Sequence, residues 1–219
     1  RIWHDHREAG IENPEQATLP DMEQLKEASR HTDINKMIID EKNSTVYLQD
    51  PEMSLDVGGI AKGYATEQVA RIAEKNGFTS GLISVGGNVR SIGVRGDGTP
   101  WKVGVQNPYD QDGPDISKVD LAEGSLVTSG VYERYYTVNG KNYHHIIDPV
   151  TLYPSEYYLS VSILCPDSGL ADALSTSLFN MPFEQSLALV ESLPDTEALW
   201  VFPDKTVRTS SHFNDFVSK

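Results

Sequence analysis

Two hydrophobic periods alternate along this chain. At helical spacing, Ile60, Tyr64, Ala65, Val69, Ile72 and Ala73 recur, and that stripe predicts an amphipathic helix packed on a core. Upstream, Asp21 to Arg30 reads as a helix with Met22 and Leu25 on one face and acidic residues in its first turn, where the helix dipole favours them. Residues 1 to 20, with Trp3, scattered charges and two prolines, read as a loop or the remnant of a preceding element. Downstream, Leu170 to Phe179 and Glu184 to Leu193 carry further helical patterns, the first with Leu174, Leu178 and Met181 on its apolar side.

Strand-like runs fill the intervals. Ile34 to Ile39 and Thr45 to Gln49 form a predicted hairpin, and Gly81 to Val94 reads as a strand, a glycine turn and a second strand. Trp101 to Gln106 is another strand, followed over residues 107 to 118 by a Pro, Asp and Gly rich surface loop. Tyr132 to Val138 and Lys141 to Ile147 flank Asn139-Gly140, the strongest short hairpin signal present. Tyr158 to Leu164 is a strand, and Ala198 to Phe202 with Thr206 to Thr209 closes a hairpin around Pro203-Asp204-Lys205. Strands outnumber helices and hairpins mix with them without strict alternation, so the pattern predicts an α+β fold of mixed, largely antiparallel sheets in a single domain spanning residues 1 to 219.

Composition narrows the partners. With 32 acidic against 18 basic residues the formal charge is -14, a field that repels nucleic acid and anionic membrane surfaces. No apolar run approaches a membrane span and no signal peptide is visible. The one cysteine, Cys165, has apolar neighbours and reads as a buried, inert thiol.

Candidate chemistry gathers at five places. In Asp56 to Thr66 (DVGGIAKGYAT), Gly58 and Gly59 fall at the mouth of the predicted helix, where free N–H groups and the dipole attract an anion, and Lys62 stands just inside. Gly86-Gly87-Asn88 ends an apolar strand, either as a plain turn or as backbone approaching a ligand, and Thr128-Ser129-Gly130 places hydroxyls at another strand end. In His144-His145-Ile146-Ile147-Asp148-Pro149, adjacent histidines on a regular strand point to opposite faces and do not share one ion. A single histidine near a phosphate is a natural base, and the alternative is a satisfied polar residue. Asp172 and Thr176, four apart, lie on one helix face as oxygen donors suited to Mg²⁺, or else form a solvated polar stripe or a Thr bonded back to its own helix.

Taken in order, DVGGIAKGYATEQVA, LISVGGNVRSIG, GDGTPWKVGVQNP, VTSGVYERYY, HHIIDPVTLYP and ADALSTSLFNMP resemble the ApbE-like family of flavin transferases, from about Trp3 to Phe202. The resemblance implies an FAD:protein FMN transferase that binds FAD with Mg²⁺ and cleaves its pyrophosphate. FMN is then attached by a phosphoester to a Thr or Ser of an acceptor flavoprotein, and AMP is released. It implies Asp172 and Thr176 as side-chain metal ligands with the Ala61 carbonyl as a third, and His145 as the base. It places Lys62, Gly63, Gly86, Gly87, Asn88 and Ser129 around the flavin and phosphates. The alternatives are an Mg²⁺-dependent FAD pyrophosphatase giving FMN and AMP, and a non-catalytic FAD-binding protein. The family is generally exported, often as a lipoprotein, which implies the periplasm or the outer face of the cytoplasmic membrane. Two departures stand out: Val150-Thr151-Leu152 replaces the family's Thr-Gly after Asp-Pro, and this chain starts after an N-terminal segment that the family carries.

Overall fold

The computed structural model describes residues 1 to 218. In chain order the first elements are helices α1 (Ile2–Glu12) and α2 (Met22–Ser29), strands β1 (Met37–Asp40) and β2 (Thr45–Leu48), and helix α3 (Ala61–Lys75). Strands β3 (Gly81–Val85), β4 (Asn88–Ile92), β5 (Trp101–Val105), β6 (Ser117–Leu121), β7 (Gly124–Gly130), β8 (Tyr135–Val138), β9 (Lys141–His144) and β10 (Ser160–Cys165) follow. Helices α4 (Ser168–Phe179) and α5 (Phe183–Glu191) and strands β11 (Glu197–Val201) and β12 (Val207–Thr209) complete the α+β fold. All strand pairs are antiparallel. Two compact units result, one from Arg1–Val57 with Arg134–Pro154, the other from Gly58–Glu133 with the chain from Ser155 onward.

The first unit holds α1, α2 and the hairpins β1–β2 and β8–β9. Its core is aromatic: Trp3, Leu25, Tyr136 and Val138 are buried, with Tyr143 and Tyr153 against them. Trp3 stacks on Tyr143 at 6.0 Å, meets Tyr153 edge-on at 5.1 Å and donates its indole N–H to the Leu152 carbonyl at 2.8 Å. Residues 2 to 12 are therefore helix, not loop. Gly10 packs so closely on Tyr136 that an added Cβ would meet its ring at 2.5 Å, a contact no local pattern announces. Asp21 caps α2 through the N–H groups of Glu23 and Gln24. Asn139 and Gly140 both take positive φ, 51° and 78°, the backbone of a two-residue primed turn.

The second unit is built on a six-stranded sheet in the order β12-β11-β10-β7-β4-β3. Because side chains alternate across it, one face buries Leu126, Leu164, Leu199 and Val201 with Val103, Val105, Val119 and Leu121 of the β5–β6 hairpin. Ser117 opens β6, so the strand begins inside the stretch predicted as loop, where it gains a partner in β5. On the opposite face α4 packs on β7 and β10, and α3 packs on α4 and β4.

The face of α3 departs from its pattern. Gly63, Thr66, Glu67 and Ala70 are the buried positions, whereas Tyr64, Val69 and Ile72 are more than half exposed. Small size and ionic partners, rather than apolarity, select the packed face. Tyr64, Val69 and Ile72 form an outward stripe, and Leu82 and Val85 on the edge strand β3 are exposed as well.

Candidate functional site

Every site residue predicted from the sequence except His145 lies in the second unit. Helix α3 begins at Ala61, with Ile60 at its N-cap making no side-chain cap, so its first N–H groups seek partners elsewhere. One partner comes from α4: the Gly63 N–H donates to Asp172 Oδ2 at 2.8 Å. Glycine is required there, since a Cβ on residue 63 would lie 2.2 Å from the Ser168 carbonyl oxygen and 2.5 Å from Asp172 Cβ. Asp172 is only 4% exposed, and its second oxygen makes no hydrogen bond among the described residues. Instead of a solvated stripe, the helix presents one buried carboxylate held by a single oxygen.

One turn along α4, the Thr176 hydroxyl lies 3.5 Å from the Asp172 carbonyl oxygen, at the limit of hydrogen bonding. Gly59 faces it: a Cβ on that glycine would sit 3.6 Å from Thr176 Oγ1. Lys62, in the first turn of α3, donates Nζ to the Gly86 carbonyl at 2.9 Å. Gly86 and Gly87 have φ of 50° and 87°, so their residues close the β3–β4 hairpin through a turn that demands glycine. The Thr128 N–H donates to the Gly87 carbonyl at 3.2 Å, which ties that turn to β7. Ser129 on β7 shares a 2.8 Å hydroxyl contact with Ser175 of α4.

Asn88 opens β4 directly after the glycines. It is fully buried, and neither its amide nitrogen nor its oxygen has a hydrogen-bond partner among the described residues. A buried amide without partners costs free energy, so this position is one that a ligand group would satisfy.

Glu67, one turn past Gly63 on the buried face, is not among the site residues predicted from the sequence. Glu67 is 4% exposed and binds the Arg71 Nε at 2.9 Å, the Arg90 Nε at 3.1 Å and the Ser168 N–H at 2.9 Å. Burial raises its carboxyl, but the Ser168 N–H and the two guanidinium groups outweigh it and hold the group below its ordinary value. The signal in the sequence was the Glu67/Arg71 pair at i,i+4; the partners Arg90 and Ser168 are long-range.

His145 belongs to the first unit. It follows the end of β9, exposed, while His144, Ile146 and Asp148 are buried, the alternation read from the sequence. Its Nδ1 lies 3.3 Å from the Arg134 carbonyl, which can only accept, so Nδ1 carries the proton and Nε2 the lone pair. Although the residue is exposed by area, desolvation by protein around the ring pushes the imidazole down to about 4, against the raising effect of the Arg134 carbonyl. Beside it, Asp148 accepts the N–H groups of Val150 and Thr151, and Leu152 takes the left-handed φ of 62°. The glycine-free turn thus closes with a side-chain anchor and a leucine in a region that glycine favours.

The three predicted ligands share one donor chemistry. Asp172, Thr176 and the Ala61 carbonyl are all oxygen donors, and among the described residues no group of three or more His, Cys, Asp or Glu side chains is poised for a metal.

An α+β chain with an antiparallel sheet backed by two helices, a glycine-lysine helix start and a double-glycine hairpin turn has close counterparts. A family model described as the ApbE family matches residues 1–200. A protein of Treponema pallidum named FAD:protein FMN transferase is 37% identical over 217 residues, 93% of this chain and 60% of its own length. The protein of that name from Escherichia coli K12 is 34% identical over 81% of this chain and 52% of its own length. Among solved structures, the ApbE protein of Thermotoga maritima superposes with a TM-score of 0.86 at 34% identity, covering 100% of this chain and 71% of that one. The flavin transferase ApbE of Vibrio cholerae gives 0.77 at 29% identity, over 91% of this chain and 63% of its own.

The chain belongs to the ApbE family. It spans about 60% of the length of the Treponema relative and about half that of the Escherichia one. Among the described residues no helix is long and apolar enough to cross a membrane.

Proposed function

We propose that this protein acts as an Mg²⁺-dependent FAD:protein FMN transferase, exported to the periplasm or the outer face of the cytoplasmic membrane. The observation that carries the reading is Asp172, a buried carboxylate anchored through one oxygen on the Gly63 N–H and free of hydrogen bonds on the other. In a chain of charge -14, a pyrophosphate substrate needs a cation to enter, and this is the residue suited to hold it. Asp172, Thr176 and the Ala61 carbonyl would hold Mg²⁺, which when bound supplies charge neutralisation to the pyrophosphate oxygens.

The remaining work falls to the protein's own groups. Lys62, held on the Gly86 carbonyl, keeps two N–H donors for phosphate oxygens, and the N-terminus of α3 adds the backbone N–H groups of Ala61 and Lys62, ahead of the Gly63 N–H that Asp172 takes. The buried Asn88 amide is matched to the donor and acceptor pattern of an isoalloxazine edge, and Gly86, Gly87 and Ser129 line the same part of the unit. His145, neutral with its lone pair on Nε2, removes the proton from a Thr or Ser hydroxyl of the acceptor flavoprotein. That oxygen attacks the FMN phosphorus, the pyrophosphate P–O bond breaks, and AMP leaves.

The test is to incubate the protein with FAD and Mg²⁺, with and without an acceptor flavoprotein domain, and to follow AMP and protein-bound flavin separately. Covalent flavin on the acceptor in step with AMP is expected. AMP and free FMN appearing at one rate whether or not acceptor is present would replace the reading with a pyrophosphatase, and tight FAD binding without AMP would leave a flavin-binding protein.

A further inference from the structure

Helices α3 and α4 run past each other through two matched bonds, one helical turn apart on each helix. At one rung the Asp172 carboxylate of α4 accepts the Gly63 N–H of the first turn of α3 at 2.8 Å. At the other the Glu67 carboxylate of α3 accepts the Ser168 N–H, the first residue of α4, at 2.9 Å. Residues 63 and 67 on one helix thus oppose 172 and 168 on the other, and each helix supplies an anion to the N-terminal turn of its partner, where unpaired N–H groups and the dipole favour one. Neither helix has this contact from its own side chains: Ile60 makes no cap, and Asp167 caps α4 only through the Leu170 N–H.

The second rung is braced from both sides. Arg71 binds Glu67 at 2.9 Å and reaches Asp167 at 2.8 Å, linking both acidic groups at the start of α4. The buried Arg90 of β4, two residues past Asn88, holds Glu67 at 3.1 Å. The Glu67 carboxylate therefore fixes α4 against α3 and β4 together, the elements that bear Asp172 and Thr176, Ala61 and Lys62, and Asn88.

We infer that Glu67 is a positioning residue for the metal-binding oxygens: its bond to the start of α4 sets where Asp172 and Thr176 stand against the first turn of α3. This rests on the reading of Asp172 and Thr176 as metal ligands and adds to it a residue that touches neither metal nor substrate. Outer groups that orient ligands typically change metal affinity by ~10–100-fold when removed.

The test is direct titration of the purified protein with Mn²⁺, an oxygen-preferring substitute for Mg²⁺, read by electron paramagnetic resonance of the free ion, beside thermal melting of each variant. Glu67→Ala is expected to weaken Mn²⁺ binding by ~10–100-fold. Glu67→Gln, which keeps an oxygen for the Ser168 N–H but loses its charge toward Arg71 and Arg90, is expected to fall between that variant and the parent. If Glu67→Ala does not fold, Glu67→Gln carries the test, with several-fold weaker binding expected. A parent that binds Mn²⁺ while the folded Glu67 variants bind it equally well, whatever their melting temperatures, would overturn the inference and leave Glu67 as a structural brace only. A parent that binds no Mn²⁺ would overturn the metal reading and this inference with it.

Discussion

Replacing Gly63 with Ala probes the closest approach in the second unit. The new Cβ would stand 2.2 Å from the Ser168 carbonyl oxygen and 2.5 Å from Asp172 Cβ, where ordinary contact begins at 3.4 Å. The first obstacle is backbone and cannot rotate away, so α3 and α4 must part by about 1 Å. Overpacking of this kind costs about 1–3 kcal/mol. The same separation stretches the 2.8 Å bond between the Gly63 N–H and Asp172 beyond hydrogen-bond range, and losing a bond to a buried charged group costs about 1.5–3 kcal/mol. Because both losses come from one displacement they do not simply add, and about 3 kcal/mol is the expected total. For a chain of this size that is a drop of about 6–12 °C in Tm.

Gly59→Ala is the matched control, since its Cβ meets Thr176 Oγ1 at an unstrained 3.6 Å and should leave stability within about 0.5 kcal/mol. Differential scanning calorimetry of the three proteins decides the matter. A Gly63→Ala protein melting within 2 °C of the parent would refute the close-approach argument.

Other outcomes follow from the same contacts. Arg90→Met removes one of two guanidinium partners of the buried Glu67 carboxylate, which keeps Arg71 and the Ser168 N–H, and should lower stability at pH 7 by about 1.5–3 kcal/mol, read from the urea midpoint. Because folding lowers the Glu67 pKa, its contribution is complete above the unfolded value of 4.5 and fades as pH falls through the folded one; the urea midpoint of Glu67→Gln should vary less with pH there. His145, with its pKa lowered to about 4, is already the free base at pH 6, so kcat/KM for FMN transfer should show no His145 inflection between pH 8 and 5 and should fall only near pH 4. Asn139→Ala forces a side chain with no special tolerance into φ 51° and should cost about 1 kcal/mol by thermal melting.

What the sequence disclosed depended on how local the cause was. The Asn139-Gly140 and Gly86-Gly87 turns were readable because their backbone demands glycine or asparagine within two residues. The Asp172/Thr176 pair was readable because helical spacing alone puts both on one face. The buried side of α3 was not, because its apolar stripe points outward and the packed side depends on Gly63 meeting Ser168, and on Glu67 meeting Arg90 and Ser168, 23 and 101 residues away. Helix α1 was hidden for a similar reason: Trp3 and Gly10 are fixed by Tyr136, Tyr143 and Tyr153, all far along the chain. The network around Glu67 escaped notice because a glutamate inside a helix ordinarily faces water.

Under the proposed function, magnesium enables FMN transfer through Asp172. The decisive measurement is flavin fluorescence on an acceptor flavoprotein domain after denaturing electrophoresis, with AMP quantified alongside, for the parent and for Asp172→Ala, each with Mg²⁺ and with a chelator. Labelled acceptor and AMP in equal amounts are expected from the parent with Mg²⁺, with both lost on chelation and in the variant. Labelling by Asp172→Ala at the parent rate, or by the parent in the presence of chelator, would contradict it.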